Sequence, residues 1–110
     1  MFEERWQVFV DENHISLMDD AGVRHSLAKR DLTGAMVETN DSGPWGADVW
    51  WLLFGADDRI ALSFPQGAEG EQRLLDYLVA LENFDHAAMA KAMRSVENAV
   101  FPLWRRPPDT

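Results

Sequence analysis

The tightest apolar pattern in the chain lies at its middle, over residues 49–54. One side of an extended segment there carries Val49, Trp51 and Leu53, and the other side carries Trp50, Leu52 and Phe54. Because both sides are apolar, we expect a central strand that is covered on both faces. The stretch is much shorter than the about 20 residues of a membrane-spanning helix, so it indicates a small soluble domain.

Period-two patterns predict further strands on both sides of this segment, over residues 6–10, 14–18, 23–28, 34–39 and 59–64. In the third of these, Val23 and Leu27 are expected to face the core, with His25 between them. In the last, Ile60, Leu62 and Phe64 are expected to share one face. Asp19-Asp20-Ala21-Gly22 is predicted to form a tight turn, in which Gly22 is expected to adopt positive φ.

After Pro65 the period changes from two to 3.6. Residues 71–82 predict a helix with one apolar stripe, formed by Leu74, Leu75, Leu78 and Leu81. Asp85 is expected to cap a second helix over residues 86–93, and residues 99–104 predict a short extended segment. The order of strands and then helices predicts the α+β class. We expect one domain over residues 1–110, with a strongly bent antiparallel sheet or partial barrel of about six to seven strands, capped by C-terminal helices.

The charge balance narrows the choice of partner. Ten Lys+Arg face nineteen Asp+Glu, for a formal net charge of −9. This sign opposes binding to nucleic acid and to anionic membranes. The chain has no cysteine, which excludes disulfides and thiolate metal sites. Since the N-terminus also lacks a secretory signal pattern, we expect a cytoplasmic protein.

One stretch resembles a known family. Residues 26–38, Ser-Leu-Ala-Lys-Arg-Asp-Leu-Thr-Gly-Ala-Met-Val-Glu, are similar to the third-to-fourth-strand passage of bacterial pleckstrin-homology-like (PH-like) domains. There a pair such as Asp31-Leu32 precedes a strand that crosses to the other half of the barrel. The resemblance implies a PH-like barrel capped by the leucine-rich helix. The family has seven strands before that helix, against about six here. The acidic first loop, Asp11-Glu12-Asn13, does not imply binding of inositol phosphates.

The residues that usually carry chemistry match no catalytic or metal motif. His14, His25 and His86 lack metal-ligand spacing, and the serines and glycines match neither a nucleophile elbow nor a phosphate loop. The carboxylate pairs Asp19-Asp20 and Asp57-Asp58 fall in predicted turns, where turn formation is their ordinary role. We therefore predict no catalytic, cofactor or metal residue, although an enzyme stays an open alternative. His25 is expected to be a core-edge histidine with one hydrogen bond.

Five tryptophans give the remaining signal. Trp45 lies in an irregular Pro/Gly stretch that also holds Asp41, and it is the best candidate for a contact residue. The alternative is that Trp45 plugs the end of the barrel. Trp50 and Trp104 are expected either in the core or on a contact surface. The candidate contact surface is thus Asp41, Trp45, Trp50 and Trp104.

Together these patterns favour a non-catalytic protein-interaction module, with another protein or a second copy of the chain as partner. A narrower alternative, motivated by charge and size, is an immunity-type inhibitor of a basic toxin. An alternative from another class is a small-ligand-binding protein with a pocket at one end of the barrel, near Trp45 and His25.

Overall fold

Seven strands and two helices are present in the part of the protein that the structure describes. A computed structural model describes residues 6–43, 46–95 and 97–108, without the side chains of residues 41–43 and 46–48. The strands are β1 (Gln7–Val10), β2 (His14–Met18), β3 (Arg24–Ala28), β4 (Gly34–Gly43), β5 (Gly46–Phe54), β6 (Ile60–Pro65) and β7 (Ala99–Arg105). The helices are α1 (Glu71–Val79) and α2 (His86–Arg94).

The strands form two antiparallel sheets, with the orders β1-β2-β3 and β6-β5-β4-β7. The α+β class and the six strands before the first helix are confirmed. The strands are divided between two sheets rather than forming one continuous sheet. Among the described residues no ladder joins the two sheets, so the strands do not close into a barrel. β3 and β6 lie beside each other where the sheets meet.

One hydrophobic cluster fills the space between the sheets and the helices. The three-stranded sheet contributes Val8, Ile15, Leu17 and Leu27, and the four-stranded sheet contributes Val37, Trp51, Leu53, Leu62 and Phe64. Each set comes from alternate positions of its strands, because successive side chains of a strand point to opposite faces. The predicted core position of Leu27 is confirmed.

The prediction that Val23 faces the core is wrong. Val23 is exposed, because it belongs to this turn and β3 begins only at Arg24. The Asp19 carboxylate accepts hydrogen bonds from the backbone N–H groups of Ala21 and Val23, at 2.9 Å each. Gly22 adopts the predicted positive φ, at +83°.

Both helices turn apolar stripes towards the same core. In α1, Leu74 and Leu78 are buried and Leu75 lies at the margin of the core, as does Leu81 just beyond the helix. The helix ends at Val79, three residues before its predicted end. Asp85 caps α2 as expected, since its carboxylate accepts a hydrogen bond from the N–H of Ala88 at 2.8 Å.

The C-terminal apolar segment is an integral strand. β7 pairs antiparallel with β4 and brings Leu103 and Trp104 into the core. The pairing register shifts between Ala35 and Met36 of β4, so one extra β7 residue is accommodated there. The predicted extended segment is therefore the edge strand of the four-stranded sheet.

Candidate functional site

The two faces of the central strand β5 are not equally covered. Trp51 is 1% exposed, and Leu53 is buried to the same degree. Trp50, Leu52 and Phe54, which alternate with them, are only half-buried. Coverage of both faces was thus the wrong expectation. The three-stranded sheet, α1 and α2 share one core with Trp51 and Leu53, whereas Trp50 packs only against the margin of that core.

Strand register extends this half-buried face across the whole sheet. Directly opposed residues in an antiparallel pair share a face. On β4, Met36 opposes Leu52 and Glu38 opposes Trp50. On β7, Pro102 opposes Met36 and Val100 opposes Glu38. We call this surface the outer face; its apolar members are Met36, Trp50, Leu52, Phe54, Ile60, Val100 and Pro102.

Ile60 reaches the outer face through a bulge. The register of β5 and β6 shifts between Leu53 and Phe54, so Leu62 opposes Leu53 and Ile60 opposes Phe54. The extra residue reverses the side on which Ile60 lies, as bulges do. The prediction that Ile60 shares the buried face of Leu62 is therefore wrong, and Ile60 is 55% exposed.

Charged groups flank the apolar part of the outer face. Glu38 lies in the middle of β4, and Arg105 opposes Gly34 at the start of that strand. The Arg105 guanidinium is also 3.3 Å from a carboxylate oxygen of Asp58, in the turn between β5 and β6. Both partners of that pair are well exposed, so it contributes little to stability. Between Glu38 and Arg105, apolar residues of all four strands share this face.

The structure distributes the four predicted contact residues differently. The side chain of Asp41 and all of Trp45 lie outside the described residues. Trp50 belongs to the outer face, and its ring packs edge-to-face on Trp6 with centroids 5.6 Å apart. Trp104 lies in the core, 9% exposed. Its indole Nε1 donates to the Glu82 carbonyl at 2.9 Å.

Most of the outer face was missed because the sequence pattern of β5 is apolar on both sides. Met36, Leu52, Phe54, Val100 and Pro102 were not predicted as contact residues. The signal that could have found them is Glu38, a charged residue on the side of β4 opposite Val37. In an antiparallel pair, that charge marks the same side of β5 as solvent-facing.

A second candidate site is centred on His25, which makes the predicted hydrogen bond but is exposed and not at the edge of the core. Its Nε2 lies 3.0 Å from the Asp19 carboxylate, and its side chain is 44% exposed. This hydrogen bond, followed by those from the Val23 and Ala21 N–H groups, lowers the pKa of Asp19 below its usual value. An open cavity of about 370 Å³ adjoins the pair, and its other lining residues are Trp6, Leu17, Ile60, Ala61, Leu62 and Ser63.

The paired carboxylates lie in turns, as expected. Asp57 and Asp58 both have positive φ, in the 3₁₀ turn before β6. The Asp19 carboxylate accepts backbone hydrogen bonds within the turn before β3. Across the described ranges, no three His, Asp or Glu side chains are grouped closely enough to hold a metal ion.

Neither described helix has the length and apolar character needed to cross a bilayer. Comparisons of the chain with protein-family models, with curated proteins and with solved structures found no match.

Proposed function

We propose that this protein is a non-catalytic interaction module that binds a protein partner through the outer face. The observation that carries the proposal is a row of half-buried apolar side chains across the four strands of one sheet, with Ile60 and Val100 exposed at its two edges. Within the described ranges, both helices and the other sheet share the core with Trp51 and Leu53, and the core residue Trp6 reaches Trp50 on this face. Monomeric proteins rarely expose large contiguous apolar patches, and such patches commonly mark protein contacts.

The composition of the outer face suits a contact surface. Trp50 and Phe54 are large aromatic side chains, and Leu52 and Met36 lie directly beside them. Aromatic side chains dominate the energetics of many protein interfaces. Met36 adapts its shape to different neighbours, because its unbranched side chain has several rotatable bonds. A partner that covers these residues removes from water the apolar area that the fold itself leaves exposed.

The proposal includes a PH-like arrangement of the strands. The apolar-striped helix that follows the strands, and the passage from β3 to β4 at Asp31-Leu32, support it. The six strands before that helix, against the family's seven, and the β7 strand after α2 are departures from the family's pattern.

Site-specific photo-crosslinking in cells tests the proposal. Phe54→p-benzoylphenylalanine places the reactive group on the outer face with little change in shape. Phe9→p-benzoylphenylalanine is the matched control, because Phe9 is an exposed aromatic residue of the other sheet. We expect discrete protein adducts from position 54 and not from position 9. Equal adducts from both positions, or none from either, would contradict the proposal.

The cavity beside His25 supports a second candidate, the binding of a small molecule. Its lining combines apolar side chains with the hydrogen-bonded His25–Asp19 pair, which is the mixture that many ligand sites show. A thermal-shift screen against metabolites is the test. We expect a ligand of this cavity to lose its stabilising effect in His25→Ala, and a screen without any shift would remove this candidate.

A further inference from the structure

We infer that the partner on the outer face is a second copy of this chain, packed sheet against sheet about a two-fold axis. The inference rests on the proposed function and names its partner. Two-fold dimers are the commonest assemblies of soluble proteins, and they place the same surface on both subunits. The outer face has two properties that such packing requires, an apolar centre and charges that can pair with those of a second copy.

A two-fold rotation can bring Glu38 of one copy close to Arg105 of the partner subunit. On β4, Glu38 lies two residues after Met36, and Gly34 lies two residues before it. Arg105 of β7 opposes Gly34. Each offset is about 6.6 Å at the usual rise of a strand. An axis in the interface that crosses β4 at Met36 reverses the strand direction. It therefore places Glu38 opposite Arg105 of the partner subunit, within about one strand spacing sideways.

The edges of the sheet favour face packing over strand addition. β7 forms one edge, and it contains Pro102 and a register shift at the next residue. Proline has no N–H to donate, and bulges disrupt ladder pairing, so both discourage a further strand. The opposite edge strand, β6, lies beside β3 of the other sheet. A second copy is thus expected on the face.

The size of the face predicts a reversible dimer. Four strands about 4.8 Å apart and five residues long present roughly 300 Å² of projected area. A standard stable interface buries about 800 Å² of accessible surface on each partner, which the side chains of this face reach only in part. We therefore expect the dimer fraction to depend on protein concentration.

The net charge gives the inference a distinctive salt dependence. Two copies with −9 each repel at long range, whereas the described ionisable side chains at the outer face are few: Glu38, and Arg105 with its ion-pair partner Asp58. Added salt screens this repulsion, since the Debye length falls from about 10 Å at 0.1 M to about 3 Å at 1 M. Apolar contact is not weakened by screening. The self-association should therefore strengthen with salt, whereas binding of a basic partner should weaken.

Sedimentation velocity of the full chain over a series of concentrations, at low and high NaCl, tests the inference. We expect a monomer–dimer equilibrium that shifts towards dimer as NaCl rises. Leu52→Lys and Val100→Lys should each shift it to monomer over the whole series. Gln72→Lys is the matched control: it changes the net charge equally on an exposed position of α1, and it should leave the dimer intact. Circular dichroism verifies that each variant is folded.

A charge exchange tests the orientation. Glu38→Arg and Arg105→Glu each place like charges across the proposed interface, and each should weaken the dimer by about fivefold. The double variant restores opposite charges and should return the dissociation constant to near that of the wild type. Full additivity of the two losses would overturn the proposed orientation.

The remaining outcomes separate this inference from the proposed function. A monomer at every concentration, with adducts from position 54 to a different protein, overturns the self-association but keeps the interaction module. A monomer without adducts overturns both. A dimer that tolerates Leu52→Lys and Val100→Lys, or one that weakens with salt, overturns the placement of the contact on the outer face.

Discussion

At the scale of single residues, Gly22 and Gly70 show two different demands on a glycine. Both have left-handed backbone, with φ of +83° and +84°. A Cβ at Gly22 would meet no atom within 4 Å, whereas a Cβ at Gly70 would collide with the carbonyl oxygen of Val8. At Gly22, glycine is therefore needed only for the left-handed backbone of the turn. At Gly70, the missing side chain also allows the start of α1 to approach β1 closely.

This contrast gives a prediction with a built-in control. Gly22→Ala should cost about 1 kcal/mol, the usual penalty for a left-handed non-glycine residue. Gly70→Ala should cost at least about 3 kcal/mol, because the backbone of β1 or α1 must also move. Urea unfolding followed by circular dichroism measures both free energies. Equal losses would show that the close approach to Val8 has no energetic consequence.

Sequence reasoning at this scale succeeds where the cause is local. Gly22 follows turn-forming residues, and Asp85 directly precedes an apolar helical stripe, so both roles were predicted. Gly70 was not singled out, because its constraint comes from Val8, which lies far away in the chain. Trp104 was left open for the same reason, since its hydrogen-bond acceptor is the distant Glu82 carbonyl.

At the scale of elements, a part-buried hydrogen bond connects α1 to the central strand. The indole Nε1 of Trp51 donates to the Glu71 carboxylate at 2.7 Å, and that carboxylate oxygen also accepts from the Gly67 N–H at 3.2 Å. Glu71 is in the first turn of α1, where a negative charge interacts favourably with the helix dipole. The bond thus fixes the start of the helix over β5.

Removal of the acceptor should leave a buried donor without a partner. Glu71→Ala is expected to cost about 1–3 kcal/mol. In the Trp51→Phe background, which lacks the donor, the same change should cost about 1 kcal/mol less. Gln72→Ala, at the neighbouring exposed position, is the control and should change stability little. Urea unfolding of the four variants of the cycle gives the coupling, and a coupling near zero would contradict the assigned role.

At the scale of the whole molecule, β7 completes the fold from the far end of the chain. It supplies Leu103 and Trp104 to the core and pairs with β4, which begins some 65 positions earlier in the sequence. α2 precedes β7 directly, and the backbone N–H of Asp85 donates to the Leu103 carbonyl at 2.7 Å. The second sheet therefore depends on residues that follow both helices.

Truncation tests this dependence. A chain that ends at Asn98 lacks β7, and it should lose more than about 5 kcal/mol because two large side chains leave the core. That loss is comparable to the whole stability of a small domain, so we expect no cooperative unfolding transition. A chain that ends at Arg106 is the control. It keeps β7 and the bond from Arg106 Nε to the Leu32 carbonyl at 2.8 Å, and it should unfold like the full chain. A cooperative transition in the shorter chain would show that β7 is dispensable.

The sequence by itself determined which segments are extended and which are helical, where the β2–β3 turn lies and how α2 begins. These features depend on side-chain period and on neighbours within a few residues, which the linear pattern contains. Only the tertiary structure decided that the strands form two sheets, that Ile60 lies outside the core and that one face of β5 stays half-exposed. Those outcomes depend on strand register, on a bulge and on the side to which both helices pack. Each of these is set by residues distant in sequence, so the apolar pattern of β5 alone does not distinguish a covered face from one available to a partner.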